Sequence, residues 1–172
     1  AYNALGAKQA NYVSVIVMNP KNGEIMAMVN APEFDLNNPY SLTEEFSNDT
    51  SGKSKQDLLN NMWRNQCIND TYEPDSTFKI VTATAALSEN LVSLDSTFNC
   101  PGFVVVDDRR IRCHKTTGHG SQDFVHGTMN SCNPVFVNVG LRVGVKKFYN
   151  YMDKLGLLKT TGIDRSEERR VG

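Results

Sequence analysis

An apolar run at Val13–Met18 is followed by the turn sequence Asn-Pro-Lys-Asn-Gly at residues 19–23 and by a second apolar run at residues 24–29. The first run is rich in β-branched residues, which favour strands, and Asn-Gly is typical of tight hairpin turns. The pattern therefore predicts a β-hairpin. Because the returning run is almost continuously apolar, we expect it to be buried on both faces and to lie within a larger sheet.

The sequence after the hairpin predicts a polar connection and then a mainly helical region. Residues 31–57 are polar and contain Pro, Asn and Ser, which is typical of a surface excursion. Further elements are expected as follows: helices at residues 1–10, 42–46, 60–67, 76–90, 124–130, 134–143 and 145–155, and a second hairpin formed by residues 103–106 and 110–112. The chain is therefore predicted to be a mixed α/β protein of the α+β kind.

Length and charge narrow the function classes. The 172 residues are enough for one domain with a core of its own. The formal net charge of −1 is atypical of nucleic-acid-binding domains, which carry basic surfaces, so we expect no nucleic-acid partner. The sequence has no apolar run of the roughly 20 residues that a membrane-spanning helix needs.

The last eight residues, 165–172, have no apolar periodicity and read like a translated sequencing adapter. We expect them to be a non-native tail and the domain to occupy residues 1–164. The alternative is a natural charged surface tail.

The first candidate chemistry lies at the start of the helix predicted for residues 76–90. Ser76 and Lys79 form a Ser-x-x-Lys motif, in which residues three apart share a helix face, so the lysine amine can reach the serine hydroxyl. A serine hydroxyl becomes a good nucleophile when an adjacent base takes its proton. The helix N-terminus would favour a neutral lysine and stabilise an oxyanion. The simpler alternative is a serine N-cap followed by a surface lysine.

A second motif, Ser-x-Asn, lies between two predicted helices and consists of Ser131, Cys132 and Asn133. Its serine can relay a proton, and its asparagine amide can bind a substrate carbonyl. The alternative is a plain N-cap ahead of Pro134, since proline is favoured at the first helical position.

Three segments together resemble class B penicillin-binding transpeptidase domains, in particular the cell-division and sporulation D-type proteins. They are the hairpin at residues 17–28, the nucleophile segment at residues 72–80, and residues 118–136 with their Gly-His-Gly and Asn-Ser-Cys-Asn-Pro-Val-Phe sequences. The resemblance covers most of residues 10–164. It implies the fold shared by penicillin-binding transpeptidases and serine β-lactamases, present here as the N-terminal hairpin of its central antiparallel sheet and most of its helical subdomain.

The same resemblance implies a function. We expect a peptidoglycan D,D-transpeptidase in which Ser76 is the nucleophile, Lys79 the base, Ser131 a proton relay and Asn133 a substrate-binding residue. The implied partners are stem peptides ending in D-Ala-D-Ala, β-lactam antibiotics and proteins of a cell-wall synthesis complex. The implied location is the extracytoplasmic face of the bacterial cytoplasmic membrane, with the anchor outside this chain, and no metal or organic cofactor is expected.

The sequence departs from the family in three respects. The Lys-Thr-Gly motif of a later strand is absent, because residues 115–118 precede the second motif and residues 159–162 follow it too closely. Asp75 stands where the family usually has a small residue, and a carboxylate beside the nucleophile opposes a developing oxyanion. The remaining strands of the sheet are missing, so we expect the chain alone to be inactive and poorly folded. The apolar face of the hairpin, which includes Val15, Val17, Ile25 and Ala27, is expected to be left partly exposed.

The cysteines allow two further interpretations. Cys100 and Cys113 flank the second predicted hairpin and could form a disulfide in an extracytoplasmic protein. Alternatively, they could bind zinc together with His114 and His119, although the adjacency of Cys113 and His114 is awkward for tetrahedral ligation. The other two cysteines, Cys67 and Cys132, are expected to be small packed residues.

Two other function classes remain open from the sequence. One is a serine β-lactamase, because Ser-Thr-Phe-Lys also occurs in one class of these enzymes. The other is a non-catalytic penicillin-binding sensor or structural module, for which Asp75 is the main argument.

Overall fold

The structure is a computed structural model that describes residues 1–163, so the tail predicted at residues 165–172 lies outside the described residues. The described chain forms two compact units, which divide after Tyr72. None of the helices within residues 1–163 is both long enough and apolar enough to cross a membrane.

The first unit contains the predicted hairpin. Strands β1 (Val13–Met18) and β2 (Ile25–Ala31) pair in antiparallel fashion, with a bulge near Met18. The turn is closed by a 2.8 Å hydrogen bond from the Asn19 N–H to the Glu24 carbonyl, and Gly23 adopts the positive φ of 76° that glycine accommodates without strain. The hairpin prediction is confirmed, with the second strand displaced by one residue at its start.

The apolar pattern of the returning strand does not lead to burial within the described residues, as expected for a hairpin that lacks the other strands of its sheet. Within residues 1–163, β1 and β2 form a sheet of two strands, and large apolar side chains on both are exposed, including Met18 and Met26. An apolar strand is buried when its sheet is large enough to be packed on its faces. A sheet of only two strands does not provide this packing, so the side chains stay exposed here.

Within residues 1–72, the first unit also contains four helices: α1 (Tyr2–Lys8), α2 (Glu44–Ser47), α3 (Lys55–Trp63) and α4 (Gln66–Asn69). Helix α3 is capped at its N-terminus by Ser54, whose side chain accepts a hydrogen bond from the Asp57 N–H. The helix buries Leu58, Leu59 and Met62. The short helix predicted at residues 42–46 is present two residues later. The helix predicted at residues 60–67 is instead the end of α3 and the start of α4.

The second unit is mainly helical and carries both candidate motifs. Its elements are a 3₁₀ turn (Asp75–Phe78), α5 (Lys79–Ser88), β3 (Thr97–Cys100), β4 (Phe103–Val106), β5 (Arg109–Arg112), β6 (Gly120–Asp123), α6 (Phe124–Met129) and α7 (Asn133–Lys154). The predicted second hairpin is confirmed as β4 and β5. The antiparallel pair of β3 and β6 was not predicted, because its two short, polar strands are separated by the intervening hairpin.

Helices α5 and α7 pack against each other around a core of small and apolar side chains. Ala85, Ala86, Val135 and Val139 are almost completely buried there. Helix α7 is interrupted at Gly144, where the backbone is non-helical at φ 71° and ψ 161°. The break confirms the sequence prediction of two helices that meet at this position.

Candidate active site

Ser76 and Lys79 lie at the junction of the 3₁₀ turn and α5. The helix predicted to run from Ser76 to Asn90 begins instead with a 3₁₀ turn, and α5 itself ends at Ser88. In a 3₁₀ turn, side chains three residues apart are nearly eclipsed, so Lys79 stands directly beside Ser76. The distance from Lys79 Nζ to Ser76 Oγ is 3.1 Å.

The amine of Lys79 also contacts the second motif. Its Nζ atom lies 2.7 Å from the Ser131 carbonyl oxygen, 2.7 Å from Asn133 Oδ1 and 3.0 Å from Ser131 Oγ. The two shortest contacts are to oxygens that only accept hydrogen bonds, so they take two N–H groups of the amine. The remaining position on Nζ faces the two serine hydroxyls. In the neutral amine that position is the lone pair, which can accept a proton from either hydroxyl.

Burial supports a neutral Lys79. Desolvation lowers the pKa of Lys79 from its usual 10.5, while the nearby Cys132, Cys113 and Asp75 act in the opposite direction. The lowered pKa increases the fraction of neutral amine at a given pH, as a general base requires.

The backbone holds the second motif in position. Ser131 has a positive φ of 46°, between the end of α6 and the start of α7. The N–H groups of Ser131 and Cys132 donate to the carbonyls of Thr128 and Gly127, each at 2.9 Å. This turn directs both the carbonyl and the hydroxyl of Ser131 towards Lys79.

The orientation of the Asn133 amide is set by two partners. Its Oδ1 faces Lys79, and its Nδ2 donates to the Arg112 carbonyl at 2.9 Å. Three of the residues that the sequence nominates for catalysis and substrate binding, Ser76, Ser131 and Asn133, therefore converge on the amine of the fourth, Lys79.

Asp75, immediately before the candidate nucleophile, has an exposed side chain and a φ of 46°. Non-glycine residues rarely adopt this conformation, although aspartate tolerates it better than most. A glycine at this position would adopt the same backbone without strain, which is consistent with the small residue expected there.

A groove of about 240 Å³ opens beside Ser76 and Lys79. Its other lining residues are mostly small or apolar: Ile80, Ala83, Thr84, Leu87, Thr128, Ser131 and Phe136. A substrate carbonyl placed in the groove would meet the Ser76 hydroxyl at one end.

A separate group of thiols lies behind the second motif. Cys100 and Cys113 are free thiols in the structure, so it does not contain the disulfide considered from the sequence. The Sγ atom of each lies 3.6 Å from His119 Nδ1. Cys132 completes the group, and its ligand atom and the other three all lie within 4.8 Å of one another.

The composition of this group differs from the sequence hypothesis. Cys132 takes the place that the zinc alternative gave to His114, whose Nδ1 lies 3.9 Å from Cys113 Sγ but outside the four-residue group. The only feature of the sequence that could have pointed to Cys132 is its position inside the Ser-x-Asn motif, and the sequence alone favours a packed residue there. Cys67, in the other unit, lies near backbone carbonyls of the hairpin, as expected of a small packed side chain.

The thiols differ in their electrostatic environment. Burial raises the pKa of Cys100, but hydrogen bonds from His119 and from the Gly102 N–H outweigh this effect and leave the pKa lowered. Burial dominates at Cys132 and raises its pKa. The surroundings of Cys100 thus favour its thiolate, whereas those of Cys132 favour its neutral thiol.

The penicillin binding protein transpeptidase domain family matches residues 13–170 of the chain. Among curated relatives, stage V sporulation protein D of Bacillus subtilis is 40% identical over 154 residues, which are 89% of this chain and 22% of the relative. Peptidoglycan D,D-transpeptidase MrdA of Haemophilus influenzae is 31% identical over 160 residues, which are 90% of this chain and 24% of that protein. The chain thus spans about a quarter of the length of these relatives.

Solved structures agree on the fold. The D,D-transpeptidase domain of a peptidoglycan glycosyltransferase from Eggerthella lenta superposes with a TM-score of 0.76 and 24% identity, over 92% of this chain and 36% of that chain. A penicillin-binding protein (PBP2) from Helicobacter pylori gives a TM-score of 0.71 and 22% identity, over 94% of this chain and 30% of that chain. The fold expected from the resemblance is confirmed, and the chain belongs to the penicillin-binding protein transpeptidase domain family.

Proposed function

We propose that this chain is the nucleophile-bearing part of a serine-type peptidoglycan D,D-transpeptidase. The single observation that carries the proposal is the position of the Lys79 amine, 3.1 Å from Ser76 Oγ and 3.0 Å from Ser131 Oγ. A base between two hydroxyls can take a proton from one and return it through the other. The family and the names of its relatives supply the substrate class, peptidoglycan.

The first half-reaction forms an acyl-enzyme. Neutral Lys79 accepts the Ser76 proton as the Oγ atom attacks the carbonyl of the penultimate D-Ala of a stem peptide. The new Oγ–C bond replaces the C–N bond to the terminal D-Ala. Ser131, which is hydrogen-bonded to Lys79, passes a proton to the departing amine.

The second half-reaction transfers the acyl group. An amino group of a neighbouring stem peptide attacks the ester, loses a proton to Lys79 through Ser131, and releases Ser76. Asn133 holds Lys79 in place through its Oδ1, and we expect it to orient the peptide backbone as well, the substrate-binding role that the Ser-x-Asn motif implies.

The cellular location and the partners of the complete protein are part of the same proposal. Its substrate lies outside the cytoplasmic membrane, so we expect it to act on that face, anchored by a segment outside this chain. Partners in a cell-wall synthesis complex are expected, as are β-lactams, which acylate the same serine.

A specific observation keeps a non-catalytic penicillin-binding module as the second candidate. Asp75 stands directly before the candidate nucleophile, where its exposed carboxylate opposes a developing oxyanion. It also raises the pKa of Lys79, although desolvation outweighs it and leaves that pKa lowered. The second candidate therefore predicts slow acylation by penicillin and no transfer to an acceptor amine.

Labelling with a fluorescent penicillin tests the nucleophile. In the complete protein that carries this chain, peptide mass spectrometry should place the adduct on Ser76, and Ser76→Ala should abolish it. Ser88→Ala, an exposed serine at the end of the same helix, is the matched control and should label normally. Labelling that survives Ser76→Ala would refute the assignment.

Product analysis separates the function classes. A transpeptidase releases D-Ala from a donor peptide ending in D-Ala-D-Ala and joins the donor to an acceptor amine. Rapid hydrolysis of the penicilloyl adduct without D-Ala release would indicate a β-lactamase instead. A stable adduct without D-Ala release would indicate the non-catalytic module.

A further inference from the structure

The second hairpin, formed by β4 and β5, carries a concentration of positive charge. Strand β5 consists of Arg109, Arg110, Ile111 and Arg112, and the loop after it contains Lys115. The chain as a whole has a formal net charge of −1, so this segment departs from the average. The acyl transfer proposed above involves the backbone carbonyl of Arg112 but none of these cationic side chains.

One face of the hairpin combines arginine with apolar side chains. Residues that pair across two strands share a face, and the register pairs Phe103 with Arg112 and Val105 with Arg110. Because side chains alternate along a strand, both pairs lie on the same side of the hairpin. Val105 and both arginines are exposed there. The side chains of Phe103, Val105, Arg110 and Arg112 are termed the arginine face.

The opposite face of the hairpin is more buried. It carries Val104 and Ile111, which are half-buried, and the hairpin contacts α7. Arg109 belongs to this face, because it pairs with Val106 next to the turn. It therefore has the charge and the strand of the other two arginines but points to the other side, which makes it a matched control.

The guanidinium of Arg110 is ordered by an aromatic ring. Its central carbon lies 3.8 Å from the centre of the Phe103 ring. Stacking of this kind fixes the plane of the guanidinium and leaves the N–H groups at its edge free to bind a ligand. An arginine that is already ordered loses less side-chain entropy when it binds.

The arginine face has no anionic partner within residues 1–163. The ion pairs of the described residues involve other side chains, and neither Arg110 nor Arg112 takes part in one. Asp107 and Asp108 belong to the turn, at the end of the hairpin away from Arg112. A guanidinium presents a planar set of donors that binds a carboxylate through two parallel hydrogen bonds. The face is therefore suited to a carboxylate ligand.

The arginine face adjoins the candidate active site. Asn133 contacts Lys79 Nζ through its Oδ1 at 2.7 Å and donates to the Arg112 carbonyl through its Nδ2 at 2.9 Å. With the 3.1 Å contact between Lys79 and Ser76, these atoms place the Arg112 carbonyl oxygen within about 11 Å of Ser76 Oγ. An extended peptide covers that distance in about three residues.

We propose that the arginine face binds a carboxylate of the donor stem peptide upstream of its D-Ala-D-Ala end, and so favours acidic donors over neutral ones. The proposal rests on the transpeptidase function proposed above. With the penultimate D-Ala at Ser76, a side-chain carboxylate two or three residues upstream lies within reach of Arg112. Phe103 and Val105 offer apolar contact to the same part of the peptide.

The size of the face favours a peptide over an anionic membrane surface. Recognition of anionic lipids typically uses clusters of about 4–8 basic residues. The arginine face presents two arginines beside two apolar side chains, and the carboxylates of Asp107 and Asp108 at the turn reduce the positive field around it. Two guanidinium groups match one or two carboxylates at defined positions.

Equilibrium binding of two peptides is the direct test. The complete protein that carries this chain, with Ser76→Ala to prevent acylation, is titrated with Ala-D-Glu-Lys-D-Ala-D-Ala and with the same peptide containing D-Gln instead of D-Glu. The D-Glu peptide should bind about 5-fold more tightly at low ionic strength, which is the upper range for an exposed charge pair. Added salt should reduce this preference. Equal Kd values for the two peptides would overturn the proposal.

Variants of single arginines identify the binding residues. Arg110→Gln and Arg112→Gln should each reduce the preference for the D-Glu peptide, and the double variant should bind both peptides equally. Two controls remove the same charge elsewhere: Arg109→Gln on the opposite face, and Arg142→Gln on α7, where the guanidinium stacks on Phe98 at 4.9 Å. Both controls should keep the preference. Because two peptides are compared on one protein, a general change in the site cancels in the ratio of Kd values.

A loss of preference in Arg109→Gln as large as in the double variant would show an effect of net charge alone and contradict the assignment. Vesicles that contain anionic phospholipid provide a second comparison. If the complete protein bound them through the two arginines and showed no preference between the peptides, the face would be a membrane-binding surface and the proposal would be wrong.

The outcome for the arginine face can be separated from the outcome for the proposed function. Release of D-Ala from the D-Gln peptide by the unmodified complete protein tests the reaction, whereas the Kd ratio in the Ser76→Ala protein tests the face. D-Ala release together with equal Kd values would overturn the role of the arginines alone. A 5-fold preference without any D-Ala release would support the carboxylate site and count against transpeptidation.

Discussion

The Nζ atom of Lys79 lies 2.7 Å from Oδ1 of Asn133, 54 positions further along the chain. This contact joins the first residue of α5 to the first residue of α7, two helices that pack along the core of the second unit. The position of the candidate base therefore depends on helix packing as well as on the local turn around Ser76.

Removal of the amine should slow acylation. Lys79→Ala in the complete protein should lower the rate of acylation by penicillin at least about 10²-fold, the loss typical of a missing general base. Stopped-flow or gel-based labelling measures this rate. Lys146→Ala, an exposed lysine on α7, is the control and should react at the normal rate. A normal rate in Lys79→Ala would show that another group activates Ser76.

The acylation rate should depend on pH through Lys79. The neutral amine is the active form, so the rate should rise with pH through the lysine pKa, and desolvation places that midpoint below the ordinary 10.5. Because Asp75 raises the pKa of Lys79, Asp75→Asn should move the midpoint to lower pH and increase the rate at neutral pH. Asp95→Asn, an exposed carboxylate elsewhere in the unit, should leave the profile unchanged. A shift of the midpoint to higher pH in Asp75→Asn would contradict this electrostatic account.

Loss of the Asn133 side chain should also impair acylation. Asn133→Ala removes the acceptor that holds Lys79 and the donor to the Arg112 carbonyl. A hydrogen bond from the neutral amine contributes about 0.5–1.5 kcal/mol, which corresponds to roughly 2–10-fold in rate. Asn138→Ala, whose side chain only donates to the Pro134 carbonyl within α7, is the control. If both variants acylate equally fast, Asn133 does not position the base.

Alanine substitutions at two glycines in neighbouring helices should change the free energy of unfolding in opposite directions. A Cβ on Gly127 in α6 would lie 2.9 Å from Val135 Cγ1, so Gly127→Ala should destabilise the unit by about 1–3 kcal/mol through overpacking. At Gly140 in α7 the nearest atom would be 3.9 Å away, so Gly140→Ala should stabilise by about 0.5–1 kcal/mol through helix propensity. Denaturant unfolding of the chain measures both free energies. Equal changes in the two variants would show that the contact with Val135 is not rigid.

The local elements of this chain follow from its sequence. The hairpin is encoded by a β-branched run and an Asn-Gly turn, and the relation of Ser76 to Lys79 is a matter of three residues along one turn. Both depend on neighbouring backbone dihedrals, which side-chain type restricts directly. The helix break at Gly144 was predictable for the same reason.

Contacts between distant segments required the packed structure. The sequence could place Ser131 and Asn133 in a connection between helices, but not 3 Å or less from an amine more than 50 residues earlier. The sequence indicates only a packed residue at Cys132, because its proximity to Cys100 and His119 arises from the pairing of distant strands. The returning strand of the hairpin has an apolar pattern that indicates burial, yet its burial depends on the rest of the sheet and on the elements that pack against it, which the local sequence does not specify. Side-chain type sets local conformation, whereas the partners of a side chain are fixed only when the chain closes its long loops and packs its core.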